Sequence, residues 1–166
     1  MGDSKHHGGA DKSVYAFARE ELDFWGTQLG EHFANGHFGE NLTTFGVDWS
    51  AVPLLQRITV GSAVLEVSVP RSPCRTFASW LDQRGWVKTF TEHGDAGAYL
   101  RVLQPGTIHP GDSLQFAPAP QHGVSMGEAF AAVMGNKEAA RKVAAARVLP
   151  GHHHTKVEKI AGFAAS

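Results

Sequence analysis

The chain has 166 residues, 42% of them hydrophobic and 19% charged, with a formal net charge of -1. That composition supports one packed domain with a small appendage and excludes global disorder. Near-neutral charge argues against nucleic acid or an anionic membrane as a partner, and a single cysteine excludes an intrachain disulfide, a cysteine-rich zinc site and an iron–sulfur cluster held by one chain.

The opening Met1-Gly2-Asp3-Ser4-Lys5-His6-His7 lacks the apolar core of a signal peptide, and no apolar run is long enough to span a bilayer, so a cytoplasmic location is expected. Lys12 to Leu29 reads as a helix: Leu22, Trp25 and Leu29 recur at helical spacing, Asp11 suits the N-cap, and Gly26 and Gly30 mark the end. Asn35 to Gly46 reads as a loop whose glycines adopt unusual backbone angles or approach a ligand. Gln56 to Val60 and Ala63 to Val69 form a hairpin across Gly61-Ser62, the second strand stopping at Pro70.

Beyond Pro70 comes Arg71-Ser72-Pro73-Cys74-Arg75. Thr76 caps a short helix carrying Phe77, Trp80 and Leu81, and a second short helix runs from Trp86 to about Glu92. Ala98 to Leu103 is a strand, and Pro110-Gly111-Asp112 turns the chain into Leu114 to Phe116. Ala117-Pro118-Ala119-Pro120 is a linker, dividing a β-rich unit at 1–118 from a helical extension at 119–166. In the extension Ser125-Met126-Gly127-Glu128 fits a capping box, and helices follow over Lys137 to Val148 and Thr155 to Phe163. His152-His153-His154 falls in an exposed loop between the last two, and Trp25, Trp80 and Trp86 are core anchors.

The chemistry centres on Cys74. It follows a buried-type strand and stands between Arg71 and Arg75, two guanidinium groups that favour a thiolate, which is both nucleophile and metal ligand. The competing reading is a small buried hydrophobe. The loop around Gly39, Glu40, Asn41 and Thr43 can cradle a phosphate or polar cofactor through backbone N–H groups, or serve as an ordinary turn. His7, Asp11 and Lys12 near a helix start suit an anion, against the reading of a solvated chain end. No G-x-G-x-x-G follows a strand, so a nicotinamide or flavin domain is not visible.

Three segments together resemble the MOSC family, the C-terminal domain of molybdenum cofactor sulfurases. Gly2-Asp3-Ser4-Lys5-His6-His7-Gly8-Gly9-Ala10-Asp11-Lys12-Ser13-Val14-Tyr15 is similar to its G-D-x-x-x-H-x-G-G-x-D-K-A-V-Y segment. Gly39-Glu40-Asn41-Leu42-Thr43-Thr44 with Gly46 resembles its G-E-N-L-T-x-x-G loop, and Leu65 to Cys74 its strand ending in P-R-x-P-C. The helical tail resembles the YiiM-like branch. In the family further strands precede the first segment; here Met1 stands directly before it.

The resemblance implies a mainly β, α+β fold: a barrel of the pyruvate-kinase type with inserted short helices and a C-terminal helical extension. It implies Cys74 as catalytic residue, either ligating the molybdenum of a pterin cofactor or carrying sulfur as a persulfide. His7, Asp11, Lys12, Gly39, Glu40, Asn41, Thr43, Arg71 and Arg75 are the residues expected to line the cofactor, molybdopterin. Three functions are open. The first is reduction of a small N-hydroxylated substrate, with electrons from an external reductase. The second is sulfur transfer, with a cysteine desulfurase as partner. The third is a non-catalytic binding domain.

Overall fold

In the computed structural model, residues 9–163 are described. Six strands form one curled mixed sheet: β1 (Val14–Ala18), β2 (Leu42–Thr44), β3 (Arg57–Val60), β4 (Ala63–Val69), β5 (Ala98–Gln104) and β6 (Gln115–Phe116), in spatial order β2-β1-β5-β4-β3-β6. Only β1 and β2 run parallel; every other pair is antiparallel. The architecture is α+β, as expected.

The β3–β4 hairpin forms where Gly61-Ser62 predicts it, with Val60 opposite Ala63. Gly61 takes φ +55°, and a Cβ there would lie 2.2 Å from the Thr107 carbonyl oxygen, so no other residue fits that turn. In the β4–β5 pairing Val67 lies opposite Leu100 and Val69 opposite Tyr99, leaving Ser68 as the extra residue of a bulge. The bulge bends β4 just before Pro70, and Pro70 lacks the N–H to extend a ladder, so the chain leaves the sheet.

Helix α1 (Arg19–Leu29) starts seven residues later than its hydrophobic spacing predicts. Val14 to Ala18 is a strand instead, nearly all buried between β2 and β5, because Tyr15 and Phe17 gain more from cross-strand burial than from a helix face. Asp11 therefore does not cap α1; it lies in a 3-10 turn at Ala10–Lys12. Gly30 ends α1 in the left-handed region, as expected. Helices α2 (Arg75–Trp80) and α3 (Trp86–His93) pack with α1 over one face of the sheet. The cap of α2 is Cys74, not Thr76.

Between them lies an aromatic core. Phe17, Phe38, Phe77, Trp86 and Phe90 are buried, with Phe38 meeting Phe77 edge-on at 5.1 Å and Trp25 meeting Trp86 at 4.6 Å. Each such pair adds about 0.5–1.5 kcal/mol beyond area burial. Trp80 is not part of this core: it is 67% exposed. Ser125 caps α4 (Met126–Val133) through the expected box with Glu128. Helix α5 (Lys137–Ala146) packs on α4, and α6 (Gly151–Ala161) on both. The three histidines are not in a loop. They form the first turn of α6, where Pro150 pre-sets the helical entry, and His153 and His154 are half-buried.

Candidate functional site

The exit from β4 builds one wall of a groove of about 370 Å³, holding Arg71, Cys74, Phe77 and Trp80. The loop from Gly36 to Gly39 builds the other. Cys74 is half-buried in extended backbone, with no capping hydrogen bond from its side chain. Ser, Thr, Asp or Asn in that place would tie its oxygen to the helix; the thiol is left to the groove.

Two contacts clamp the walls together. Trp80 Nε1 donates to the His37 carbonyl at 3.0 Å. Arg71 Nη1 donates to the Phe38 carbonyl, and its guanidinium covers the Phe77 ring at 4.0 Å and the Tyr15 ring at 4.8 Å. A planar cation stacked on two rings is a role that lysine cannot fill.

The loop holds its shape from within. Gly36 and Gly39 adopt φ of +84° and +83°, the unusual backbone that the sequence leads one to expect. The buried Glu40 carboxylate accepts from Gly36 N at 2.6 Å, Phe38 N at 3.0 Å and the Thr43 hydroxyl at 2.9 Å. Asn41 pairs with β1 in both directions: Tyr15 N donates to its side-chain oxygen and its own N donates to the Tyr15 carbonyl, both at 2.8 Å. Glu40, Asn41 and Thr43 thus shape and anchor the loop rather than lining the groove, as a turn that must bury its own polar groups requires.

A row of alternating charge crosses the sheet beside the groove. Arg101 meets Asp11 at 2.8 Å and Glu66 at 3.2 Å, and Glu66 meets Arg57 at 3.5 Å. Lys12 stands over the Tyr99 ring at 5.8 Å, and burial holds its ammonium below the usual lysine range. Tyr99 connects the two halves. Burial pushes its phenol up, Arg71 opposes that, and the neighbouring Cys74 adds to it.

Among the expected residues, the fold brings Cys74, Arg71 and Gly39 into the groove and links them through Tyr99 to Lys12 and Asp11. Arg75 does not join them: it is exposed on the first turn of α2, away from the groove lining, because the helix turns it outward from Cys74. His7 lies outside the described residues. Tyr99, His37 and Trp80 were missed as site residues. The only local signal for Tyr99 is its place in the Ala98 strand.

A larger cavity, about 800 Å³, lies elsewhere, lined by Glu20, Glu21, Asp48, His93, Asp95 and Glu128 among others. Its carboxylates are engaged. Glu20 accepts from Gly46 N at 2.7 Å, Glu21 meets His93 at 2.5 Å, Asp48 holds Ser50, Asp95 accepts from Gly97 N, and Glu128 closes the α4 cap and meets Lys142. Burial, first of all, pushes the Asp95 carboxyl up to about 6.

A curled mixed sheet with helices inserted after β1 and β4, and one half-buried thiol at a strand exit, defines a barrel-type domain with a thiol-centred pocket. The chain belongs to the MOSC domain family, whose pattern matches residues 3–115, and to its YiiM-like branch. It is 34% identical over 124 residues to YflK of Bacillus subtilis (strain 168), covering 75% of this chain and 56% of YflK. It is 31% identical over 109 residues to protein YiiM of Escherichia coli (strain K12), covering 64% of this chain and 49% of YiiM. The chain thus spans about half the length of these relatives. A protein named as a reductase from Gibberella moniliformis is 30% identical over 121 residues, 70% of this chain and 22% of that one. The crystal structure of YiiM from Geobacillus stearothermophilus superposes with a TM-score of 0.84 at 29% identity, over 94% of this chain and 80% of that one. Among the described residues no helix is long and apolar enough to cross a membrane.

Proposed function

We propose that the chain is the cofactor-binding domain of a molybdenum-dependent reductase of N-hydroxylated compounds, acting in the cytoplasm with a separate electron-donor protein. One observation carries the reading: Cys74 lies half-buried in a groove, without a capping bond, beside the stacked Arg71. The residues present fit a pterin-bound molybdenum. A thiolate is the soft donor such a metal takes. Arg101 Nε is enclosed and without a partner, a donor that a ligand atom would satisfy.

When bound, the cofactor supplies two-electron exchange and an open position for an oxygen atom. The chain's own residues do the rest. Phe38, Phe77 and Trp80 exclude water and receive the apolar body of the substrate. Arg71 holds the loop against α2 so that the groove keeps its width. Tyr99 keeps its proton at neutral pH, because burial disfavours the phenolate, and its Oη is suited to protonate the departing hydroxyl.

The test is turnover of a small amidoxime with a chemical electron donor, using protein from a host with intact molybdenum cofactor synthesis. The reading expects formation of the amidine in the wild type, at least 1,000-fold loss in Cys74→Ala, and a slower Tyr99→Phe with substrate binding retained, in line with removal of a general acid at roughly 100-fold or more. Equal turnover by Cys74→Ala sinks it. The same uncommitted thiol favours one second reading, a persulfide carrier fed by a cysteine desulfurase. A mass increase of one sulfur on Cys74 after incubation with such an enzyme would favour it.

A further inference from the structure

The two clamps across the Cys74 groove differ in kind. The inner one is held from several sides. Arg71 donates to the Phe38 carbonyl while stacked on Phe77 at 4.0 Å and Tyr15 at 4.8 Å, two rings that are themselves buried. The outer one is a single hydrogen bond. Trp80, the last residue of α2, is 67% exposed and reaches across the groove to the His37 carbonyl at 3.0 Å. Among the described residues its indole has one ring neighbour, His37, 5.9 Å away between centroids and tilted. Neither wall depends on that bond. Glu40 holds Gly36 N and Phe38 N from inside the loop, and the His37 ring stacks on buried Phe33 at 4.6 Å. Helix α2 is anchored by buried Phe77, one turn before Trp80. The walls therefore stand whether or not the indole is in place. A hydrogen bond so exposed exchanges with one to water at small net cost, and an exposed side chain changes rotamer quickly.

We propose that Trp80 is the specificity-determining residue of the groove: bonded to His37, its indole sets the size of molecule that reaches Cys74, and swung outward it admits larger ones. The inference rests on the reading of Cys74 as the reacting centre, and it applies alike to a thiol that holds a cofactor and to one that carries sulfur. The groove, at about 370 Å³, lies near the low end of the roughly 300–1,000 Å³ found for small-ligand sites, so one indole across its rim decides much of what fits. With the bond made, the class admitted is small and slender, its apolar part running along Phe77 and its reacting end toward the thiol. A bulky or fused-ring molecule enters only when the N–H lets go of the His37 carbonyl. Arg71 keeps the groove's width throughout, so the change is confined to one side chain.

The test exploits the chain's single cysteine. The full chain, expressed in a host without molybdenum cofactor synthesis, is alkylated by iodoacetamide and by a maleimide carrying a bulky dye. Intact-mass measurement follows modification of Cys74, and each rate is divided by that of the same reagent with glutathione. Both reagents attack the thiolate, so a change in thiol ionisation moves both rates together, whereas a size limit acts on the bulky one. In the wild type the bulky reagent should be slower than iodoacetamide on that scale by roughly 5-fold or more, as a closed rim requires. Trp80→Phe keeps a ring and loses the N–H; it should speed the bulky reagent about 2- to 10-fold, the worth of one hydrogen bond, and iodoacetamide by less than about 2-fold. Trp80→Ala should bring the two normalised rates together. Equal normalised rates in the wild type overturn the proposal without any variant. A bulky-reagent rate left unchanged by Trp80→Phe and Trp80→Ala, in proteins of matched melting temperature, overturns it as well. The two readings fail separately: absence of molybdenum from cofactor-replete protein removes the reductase and leaves the size limit, and equal alkylation removes the size limit and leaves the reductase.

Discussion

Two of the concavities among the described residues contrast, and the larger of them is not the one proposed to hold the cofactor. The cleft at Asp95 and His93 has about twice the volume of the groove at Cys74, about 800 against 370 Å³. Its carboxylates are occupied in holding turns, a helix cap and an ion pair, so its acidity is the by-product of scaffolding. The groove has fewer polar groups. Its thiol makes no capping bond, and the cation beside it is held rigidly by two rings and one carbonyl. What separates a site from a cavity here is whether the polar groups are already satisfied.

Four substitutions sharpen that contrast. The groove wall should be the costliest to disturb. Phe38 is buried in the aromatic core and also forms part of the groove lining, so Phe38→Ala should lower stability by about 3–5 kcal/mol in urea unfolding. Next comes Glu40→Ala, which orphans two backbone N–H groups and one hydroxyl. It should cost about 2–4 kcal/mol, and a loss below about 1 would mean that the loop is held by something else.

The cleft should behave in the opposite way. The Asp95 carboxyl titrates at about 6 in the fold, above its ordinary 3.8, so the fold favours the protonated form. Its contribution to stability is fully present below pH 4 and is lost as pH rises from about 4 through 6. Asp95→Asn keeps an oxygen for Gly97 N and should stabilise the protein at pH 8 by roughly 1–3 kcal/mol, with no gain at pH 4. A destabilised variant at pH 8 would make the cleft more than scaffolding. Smallest is Ser125→Ala, which removes the α4 cap at the rim of the same cleft and should cost about 1 kcal/mol in thermal melts without changing turnover.

Much of this was legible in the sequence where the signal is local. The Gly61-Ser62 hairpin, the Ser125 capping box and the strand that ends before Arg71 and Cys74 each depend on a few adjacent residues, and each formed as read. The strand Val14–Ala18 was not legible. The helical spacing of Leu22, Trp25 and Leu29 runs back into it, and its real partners lie in β2 and β5, far along the chain. The site divides in the same way. Cys74 and Arg71 announce themselves by adjacency. Tyr99 stands beside Lys12 only because the bulged pairing of β4 with β5 brings it there. Trp80 misled because helical spacing with Phe77 cannot tell a core face from a groove rim.

The central claim is that Cys74 holds a molybdenum cofactor, and metal content by mass spectrometry on wild type and Cys74→Ala tests it most directly, with both proteins expressed alongside intact cofactor synthesis and matched by melting temperature. Near-stoichiometric molybdenum in the wild type and its loss from Cys74→Ala is the predicted result. Molybdenum retained by Cys74→Ala, or absent from the folded wild type, would contradict it.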